Sequence, residues 1–175
     1  MPIDLEAFKP AYEKWVEESL PDFRAGNMKE IVKRYPFIAP DDIPWTPYSG
    51  QPSDQTFALV TTAGFYLNNG QPPFDTESIH GDTSYREIPK SVRQQDIRIA
   101  HAHYDHSLTE QDMNIVFPIE RFVELEKEGI IGRLTDIHYS FSYVNDAVSL
   151  VTKTIPEWIS RVKAAGVDVL FLIPV

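Results

Sequence analysis

Apolar side chains at the start of the chain recur every three or four residues, as on one face of an α-helix. The pattern runs from Asp4 to Leu20 and predicts an amphipathic helix that begins or bends near Pro10. A second, short helix is predicted over 28–34. Six prolines lie within residues 21–55, a density typical of a segment that wraps over a surface. We therefore predict that residues 1–55 form an N-terminal helix and a proline-rich wrapping segment.

Beyond residue 55 the apolar pattern alternates between strand-like and helix-like stretches. Strands are predicted at 56–66, with a break into a turn at Ala63 and Gly64, and at 96–105, 136–144 and 167–175. Helices are predicted at 118–129 and 148–165. Strands that alternate with helices need crossover connections, so residues 56–175 are predicted to form one α/β unit with a three-layer, Rossmann-like, mainly parallel sheet. The last strand, VDVLFLIPV, has the continuous apolar run of a central strand that is buried on both faces.

Composition narrows the class of protein. The 175 residues are 42% hydrophobic and 24% charged, as in an ordinary globular domain. No apolar run approaches the roughly 18 to 20 residues of a spanning helix and no signal-peptide pattern is present, so we expect a cytoplasmic protein without membrane contacts. The net charge of −10 disfavours nucleic acid as a partner, because phosphates would be repelled. The absence of cysteine excludes thiolate metal sites and thiol catalysis within these residues.

The densest polar cluster is HAHYDH, which contains His101, His103, Asp105 and His106. On a strand, the first three side chains would share one face, because side chains alternate with a period of two. Such a face could serve general acid–base catalysis, or it could present two imidazoles and a carboxylate to a metal. Three other residues could complete a metal site: His80, Asp112 and His138. Strand-end histidines are also often hydrogen-bonded structural groups, and that alternative stays open.

Two further segments carry polar groups suited to a small substrate. In GDTSYREIP, Asp82 and Ser84 are turn-forming residues, and Arg86 offers a planar fork that fits a carboxylate. The alternative is an ordered loop in which Arg86 pairs with an internal acid. In DMNIVFPIERF, Asp112 and Asn114 could contact substrate or could cap the following helix. No GxGxxG, GxxxxGK[ST] or GxSxG pattern occurs, so classical dinucleotide, triphosphate and serine-hydrolase sites are unsupported.

Taken in order, five segments resemble the selenoprotein B family of the glycine/sarcosine/betaine and D-proline reductases, and especially its short stand-alone members. The segments are FALVTTAG, GDTSYREIP, HAHYDH, DMNIVFPIERFVELEKEGIIG and GVDVLFLIPV. The fourth is the most specific, and the resemblance covers roughly residues 40 to 175. It implies that members continue past the last strand into a loop that bears selenocysteine or cysteine. We therefore expect the chain to be incomplete after Val175 and inactive as it stands, with no other cofactor in these residues.

The resemblance also implies an activity, the reductive cleavage of a carbon–heteroatom bond in a small amino-acid-like substrate. A selenolate or thiolate would attack the substrate carbon, and a thiol reductant would resolve the covalent intermediate. On chemical grounds, His101, His103 or His106 could protonate the leaving group, Asp105 could orient an imidazole, and Arg86 could hold a substrate carboxylate. The partners implied are a thiol reductant protein or other reductase subunits.

Two alternative functions belong to different classes. One is a metal-dependent hydrolase or lyase that uses His101, His103 and Asp105, and the other is a scaffold subunit without catalysis. If the last strand lies inside a larger sheet, the chain as it stands leaves apolar surface and one strand edge uncovered. We therefore also predict that the 175-residue chain forms a homo-oligomer.

Overall fold

The computed structural model of the chain describes residues 4–38, 45 and 47–175. The predicted proline-rich segment therefore lies partly outside the described residues, at 39–44 and 46. In the part of the chain that is described, no helix is both long enough and apolar enough to cross a membrane.

Two helices lie within the described N-terminal residues 4–38. Helix α1 spans Leu5–Arg24 and α2 spans Met28–Arg34. Asp4 caps α1 by accepting a hydrogen bond from the Ala7 N–H at 3.0 Å, which satisfies one of the free donors of the first turn. Both predicted helices are confirmed, and α1 continues through Pro21 beyond its predicted end.

In the described part of the chain, seven strands follow, and they form two sheets. They are β1 (Thr56–Thr61), β2 (Phe65–Leu67), β3 (Arg86–Pro89), β4 (Ile97–Ile99), β5 (Arg133–Leu134), β6 (Ile137–Ser140) and β7 (Val169–Ile173). β1, β3, β5, β6 and β7 make the larger sheet, and β2 and β4 pair as an antiparallel ribbon. Three short 3₁₀ turns lie at Pro52–Asp54, Gln94–Asp96 and Met113–Ile115.

Strand β1 is the centre of the larger sheet, because its two edges bond to different strands. On one edge, the carbonyl of Phe57 accepts the N–H of Thr135, directly after β5, and the carbonyl of Thr61 accepts the N–H of Phe141, directly after β6. On the opposite edge, Thr56 bonds to Asp168, which directly precedes β7. β5, β6 and β7 all run parallel to β1, whereas β3 pairs antiparallel with β6. The α/β class is confirmed, but the sheet is mixed, and the Rossmann-like parallel arrangement is not confirmed.

The last strand does not have the position that its sequence predicts. Among the described strands, β7 pairs only with β1 and lies at the edge of the sheet. Phe171 is 43% exposed and Leu172 63% exposed. The prediction of a central strand buried on both faces is therefore wrong for these residues, because no described strand or helix covers the outer side of β7.

Of the helices described in the second half, the two longer ones cover the two faces of the sheet, and the short one packs against the N-terminal helices. These helices are α3 (Ile119–Lys127), α4 (Ala147–Ser149) and α5 (Ile155–Ala164), and a π-helical segment, Leu150–Thr154, joins the last two. The predicted helix over 148–165 is thus confirmed with a wider turn before Pro156. Proline has no N–H to donate to the carbonyl four residues earlier, and a π turn accommodates that missing bond.

Three buried clusters connect these elements. Leu59 and Phe117 belong to the cluster on the α3 face, and Val60 and Trp158 to the one on the α5 face. Neighbouring residues of β1 therefore point to opposite faces of the sheet, as its pleat requires. The third cluster packs α1 and α2 together around Trp15 and reaches residues of the second half. The predicted N-terminal segment is thus attached to the α/β unit by a core of its own.

Candidate active site

The histidine-bearing loop, residues 100–106, lies at the carboxyl ends of β1 and β6. The Ala100 N–H donates to the carbonyl of Gly64, in the turn after β1, at 2.9 Å. Ser142, two residues after β6, donates from its Oγ to the Ala100 carbonyl at 2.7 Å. Gly64 has a φ of +72°, and a Cβ atom there would lie 2.5 Å from the Ala100 oxygen. The loop is thus held at the edge of the sheet where open α/β proteins bind their ligands.

The predicted strand over 96–105 is too long. β4 ends at Ile99, and the chain then turns through Ala102 and His103. His101, His103 and Asp105 therefore do not share a strand face, because that arrangement needs extended backbone. Among the residues with described positions, no three His, Cys, Asp or Glu side chains lie close enough together to hold a metal ion. The metal-dependent alternative receives no support from this geometry.

His101 is the most buried residue of the loop, with 7% of its surface exposed. Its Nδ1 accepts a hydrogen bond from the His103 backbone N–H at 3.2 Å. Its carbonyl accepts a hydrogen bond from Nε2 of His106 at 2.5 Å. Burial, together with the neighbouring His103 and His106, lowers the pKa of His101 to about 4. The imidazole is therefore neutral at physiological pH.

The other polar side chains of the loop have different surroundings. The His103 ring lies 4.1 Å from the ring of Tyr143, centroid to centroid, and burial lowers the pKa of His103. The His106 ring packs at 4.4 Å against Tyr104, whose hydroxyl donates to the Ala63 carbonyl. Asp105 is exposed and accepts a hydrogen bond from the Ser107 N–H. Its carboxylate therefore caps a turn, and the predicted contact with an imidazole is not formed.

The two remaining histidines lie away from this loop. His80 shares a 2.7 Å hydrogen bond between its Nδ1 and the hydroxyl of Tyr12 in α1. His138 is completely buried in β6, where its Nδ1 accepts the Leu59 N–H at 3.1 Å. This side chain replaces a backbone bond between β1 and β6, so its role is structural.

Tyr143 fixes the far side of the loop, and the sequence prediction missed it. Its hydroxyl accepts a hydrogen bond from Nδ2 of Asn145, which also donates to the Ile79 carbonyl. The Asn145 carbonyl accepts from the hydroxyl of Tyr35, next to α2. Burial raises the pKa of Tyr143, so the phenol stays protonated. A rule that takes the residues following each strand would have found it, since Tyr143 comes three residues after β6.

A cavity of about 760 Å³ opens between α2 and the histidine loop. Met28 and Val32 line it from α2, and His103 and Tyr104 line it from the loop, next to Tyr143. The lining is mainly apolar, with Lys29, Lys33 and Asp105 as its charged members. A volume of this size lies within the range of small-molecule sites. The N-terminal segment therefore supplies one wall of the candidate site.

The second predicted group, Asp82, Ser84 and Arg86, forms a closed internal network. The Arg86 guanidinium donates to the carbonyls of Pro72 and Pro73, to Ser84 Oγ and to its neighbour Tyr85, and lies 3.6 Å from Asp82. It also lies 4.0 Å above the ring of Phe74. These contacts match the alternative of an ordered loop in which Arg86 pairs with an internal acid. A substrate-binding role for the group stays a prediction, and it would require Arg86 to exchange one of its present partners.

Asp112 and Asn114 have capping contacts. Asp112 accepts from the backbone N–H and the side-chain amide of Asn114, each at 2.9 Å. Asn114 in turn accepts the Glu120 N–H in the first turn of α3. Both residues thus order the entry into α3, and their predicted contact with substrate stays a prediction.

The end of β7 reaches the same edge of the molecule as the histidine loop. The Val175 N–H donates to Oγ1 of Thr62, directly after β1, at 3.0 Å. The next residue along, Ala63, accepts the hydroxyl of Tyr104 through its carbonyl. The turn at Thr62 and Ala63 therefore contacts the histidine loop on one side and the last residue of the chain on the other.

The fold and this edge define an α/β protein with a histidine-bearing loop at the carboxyl ends of its parallel strands. The model of the glycine/sarcosine/betaine reductase selenoprotein B family matches residues 27–174. The chain belongs to that family, and the predicted resemblance is confirmed.

Three relatives give the range of similarity. The D-proline reductase subunit gamma of Acetoanaerobium sticklandii is 33% identical over 129 residues, which cover 73% of this chain and 52% of the relative. The glycine reductase complex component B subunit gamma of Carboxydothermus hydrogenoformans is 30% identical over 82% of this chain and 33% of the relative. The sarcosine reductase complex component B subunit beta of Peptoclostridium acidaminophilum is 26% identical over 65% of this chain and 26% of the relative. The chain thus spans about a quarter to a half of the relatives it matches, and no solved structure matches it.

Proposed function

We propose that the chain is the histidine-bearing part of a reductase subunit that cleaves a carbon–heteroatom bond in a small amino-acid-like substrate. The observation that carries the proposal is the shared turn at Thr62 and Ala63, which contacts both the histidine loop and the end of β7. The family resemblance implies the redox residue directly after that strand. A nucleophile there would be separated from the histidine loop by this one turn.

The redox residue, a selenocysteine or cysteine, would supply the nucleophile. Its selenium or sulfur forms a bond to the substrate carbon while the carbon–heteroatom bond breaks, and the leaving group keeps the bonding electron pair. The leaving group then needs a proton. A dithiol reductant supplies the two electrons that later release the reduced carbon, which takes up a second proton.

The described residues would hold the substrate and move these protons. His103 lines the cavity, so its ring is placed to protonate a leaving group there. His106, in the same loop, would be the second candidate acid, and its Nε2 bonds to the His101 carbonyl. Tyr143 and the apolar residues of α2 would exclude water from the reacting carbon. Relatives are named as subunits of reductase complexes, so we further propose that this chain works with partner subunits and a thiol reductant.

The test begins with the gene. The reading frame after codon 175 is expected to contain a UGA or cysteine codon followed by further coding sequence. The longer product, made with selenocysteine or cysteine and with subunits encoded beside it, should reduce glycine, sarcosine, betaine or D-proline in the presence of dithiothreitol. Replacement of the redox residue by serine should abolish the reaction, and His103→Asn together with His106→Asn should slow it at least about 100-fold. A longer product that is inactive with every substrate would contradict the proposal and favour a scaffold subunit.

A further inference from the structure

The two ring nitrogens of His101 have different partners, and this difference fixes where its proton lies. Nδ1 accepts the His103 backbone N–H, and a backbone N–H can only donate. Neutral His101 must therefore carry its hydrogen on Nε2. Among the residues with described positions, Nε2 has no hydrogen-bond partner, so its N–H is available to a ligand.

His138 provides an internal comparison. Its Nδ1 also accepts a backbone N–H, from Leu59, and so its hydrogen also lies on Nε2. Among the residues that the structure describes, that atom is enclosed by the core without a partner, whereas Nε2 of His101 is not one of the enclosed, unpaired polar atoms. The two imidazoles therefore share a tautomer, and only the one in the loop retains access to solvent.

The surroundings of His101 oppose a positive charge on its ring. The rings of His103, Tyr104 and Tyr143 surround it at centroid distances of 5.9, 5.0 and 6.3 Å. Burial among these rings removes the water that would stabilise an imidazolium. His106 contacts its carbonyl, and protonation of either neighbouring histidine would repel a second cation. The lowered pKa of His101 agrees with this arrangement. A neutral imidazole releases its N–H proton only at very high pH, so it donates a hydrogen bond without transferring the proton.

We propose that His101 is a neutral hydrogen-bond donor whose Nε2–H binds an acceptor oxygen of the ligand, a carboxylate or carbonyl oxygen, and that it does not protonate the leaving group. This inference rests on the proposed function for the identity of the ligand as substrate. The histidines of the loop would then have different roles, because His101 would bind the ligand oxygen and His103 or His106 would protonate the leaving group. The same division would stabilise negative charge that develops on that oxygen during the reaction.

Nitrogen-15 NMR of the 175-residue chain tests the donor role without any reductase activity. Both His101 and His138 should show the neutral Nε2–H tautomer from pH 7 down to pH about 5. Sodium acetate at pH 7, as a carboxylate probe, should shift the Nε2 resonance of His101 and leave that of His138 unchanged. Sodium chloride at the same ionic strength should shift neither. An Nδ1–H tautomer at His101, a titration near its ordinary pKa, or equal responses of the two residues to acetate would overturn the inference.

Two variants separate this inference from the proposed function. Glutamine keeps a neutral N–H donor, so His101→Gln should retain part of the acetate affinity that His101→Ala loses. In the longer, active product, His101→Ala should lower kcat about 100-fold, as loss of one such donor does, and leave the pH profile of kcat unchanged in shape. A lost protonation limb in that profile would identify His101 as the acid and contradict the proposal. If the longer product has no activity, the proposed function fails, and the NMR result still decides the donor role.

Discussion

Gly64 is the residue at which the turn after β1 meets the histidine loop. It has the left-handed backbone conformation, and a Cβ atom there would lie only 2.5 Å from the Ala100 oxygen. Two separate costs therefore apply to any side chain at this position: the backbone strain of a positive φ and a collision with backbone that cannot move aside. Gly129, at the end of α3, has a φ of +70° but open space around it.

The two glycines make a matched pair for measurement. Gly129→Ala should lower the free energy of unfolding by about 1 kcal/mol, from backbone strain alone. Gly64→Ala should lower it by about 2 kcal/mol more, because the loop must move to make room. Chemical denaturation of both variants checks the difference. Equal losses of unfolding free energy would show that the close contact between Gly64 and Ala100 adds no cost.

His138 makes the fold sensitive to acid. Burial lowers its pKa to about 4 in the folded state, whereas an unfolded histidine titrates near 6.5. Because the unfolded chain binds the proton more tightly, the contribution of His138 is complete above pH about 6.5 and is lost as the pH falls toward 4. The buried His101, with a similar pKa, contributes with the same sign.

We expect the free energy of unfolding to fall steadily between pH 6.5 and 4. His138→Asn offers an oxygen to the Leu59 N–H and cannot titrate. The total loss of unfolding free energy between pH 6.5 and 4 should therefore be smaller in this variant by on the order of 2 kcal/mol. The substitution should also cost about 1 to 2 kcal/mol at pH 7, since the smaller side chain leaves a cavity. Urea titrations at several pH values check both effects, and an unchanged slope would mean that His138 titrates normally in the folded state.

The residues of the candidate site could be predicted only in part from the sequence. The HAHYDH run pointed to the right loop, because polar residues after an apolar strand are a local signal. Its geometry could not be predicted, since the end of β4 is set by the bond from Ala100 to Gly64, which lies far away in the chain. Tyr143 was missed because an aromatic residue in an apolar context is normally assigned to the core.

At the level of elements, the loop before β3 depends on Arg86. Its side chain joins this loop to the carbonyls of Pro72 and Pro73 and is 10% exposed. Lysine keeps the charge but cannot reach several acceptors in a plane. The internal network therefore predicts a structural cost for a substitution that is often regarded as conservative.

Arg86→Lys should lower the free energy of unfolding by about 2 to 4 kcal/mol, because several buried acceptors lose their donor. Arg98→Lys is the control, since that side chain is exposed and, within the described structure, bonds only to the nearby carbonyls of Gln95 and Ile97. Its cost should stay within about 0.5 kcal/mol. If Arg86→Lys is as stable as the control, the guanidinium is free to bind a carboxylate, as the sequence prediction proposed.

Helix and strand types were predicted better than their arrangement. Periodicity identified α1, α3, α5 and the strands at 56–61 and 169–173, since each has a repeating apolar face or run. The antiparallel β3 carries only the short segment REIP and was not predicted. Its pairing with β6 is a long-range choice that no local pattern encodes, and it is the reason that the sheet is mixed.

At the scale of the whole molecule, the outer edge of β7 is an exposed apolar strand edge. Its five residues, VLFLI, contain no charge or proline of the kind that protects edge strands. Phe171 packs against Phe122 on one face of the sheet, and Leu172 points to the other face with 63% of its surface exposed. We therefore predict that self-association occurs through the outer edge of β7.

The 175-residue chain should elute as a dimer or larger species in size-exclusion chromatography with light scattering, compared with 20.0 kDa for one chain. Leu172→Lys should shift it to the monomer, because the charge would be buried by pairing. Ile130→Lys, at another exposed apolar residue, should leave the assembly unchanged. A monomeric parent chain at concentrations of about 100 μM would contradict the prediction.

The central claim is that the histidine loop and a redox residue after β7 form one reductase site. Intact-mass spectrometry of the longer product, incubated with substrate but without thiol reductant, tests it most directly. We predict an added mass equal to the substrate less its leaving group, or to the whole substrate for D-proline, whose leaving nitrogen stays attached when the ring opens. The added mass should be lost on addition of dithiothreitol and absent when the redox residue is serine. Reduction of substrate that proceeds without such an adduct, or an adduct on any other residue, would contradict the claim.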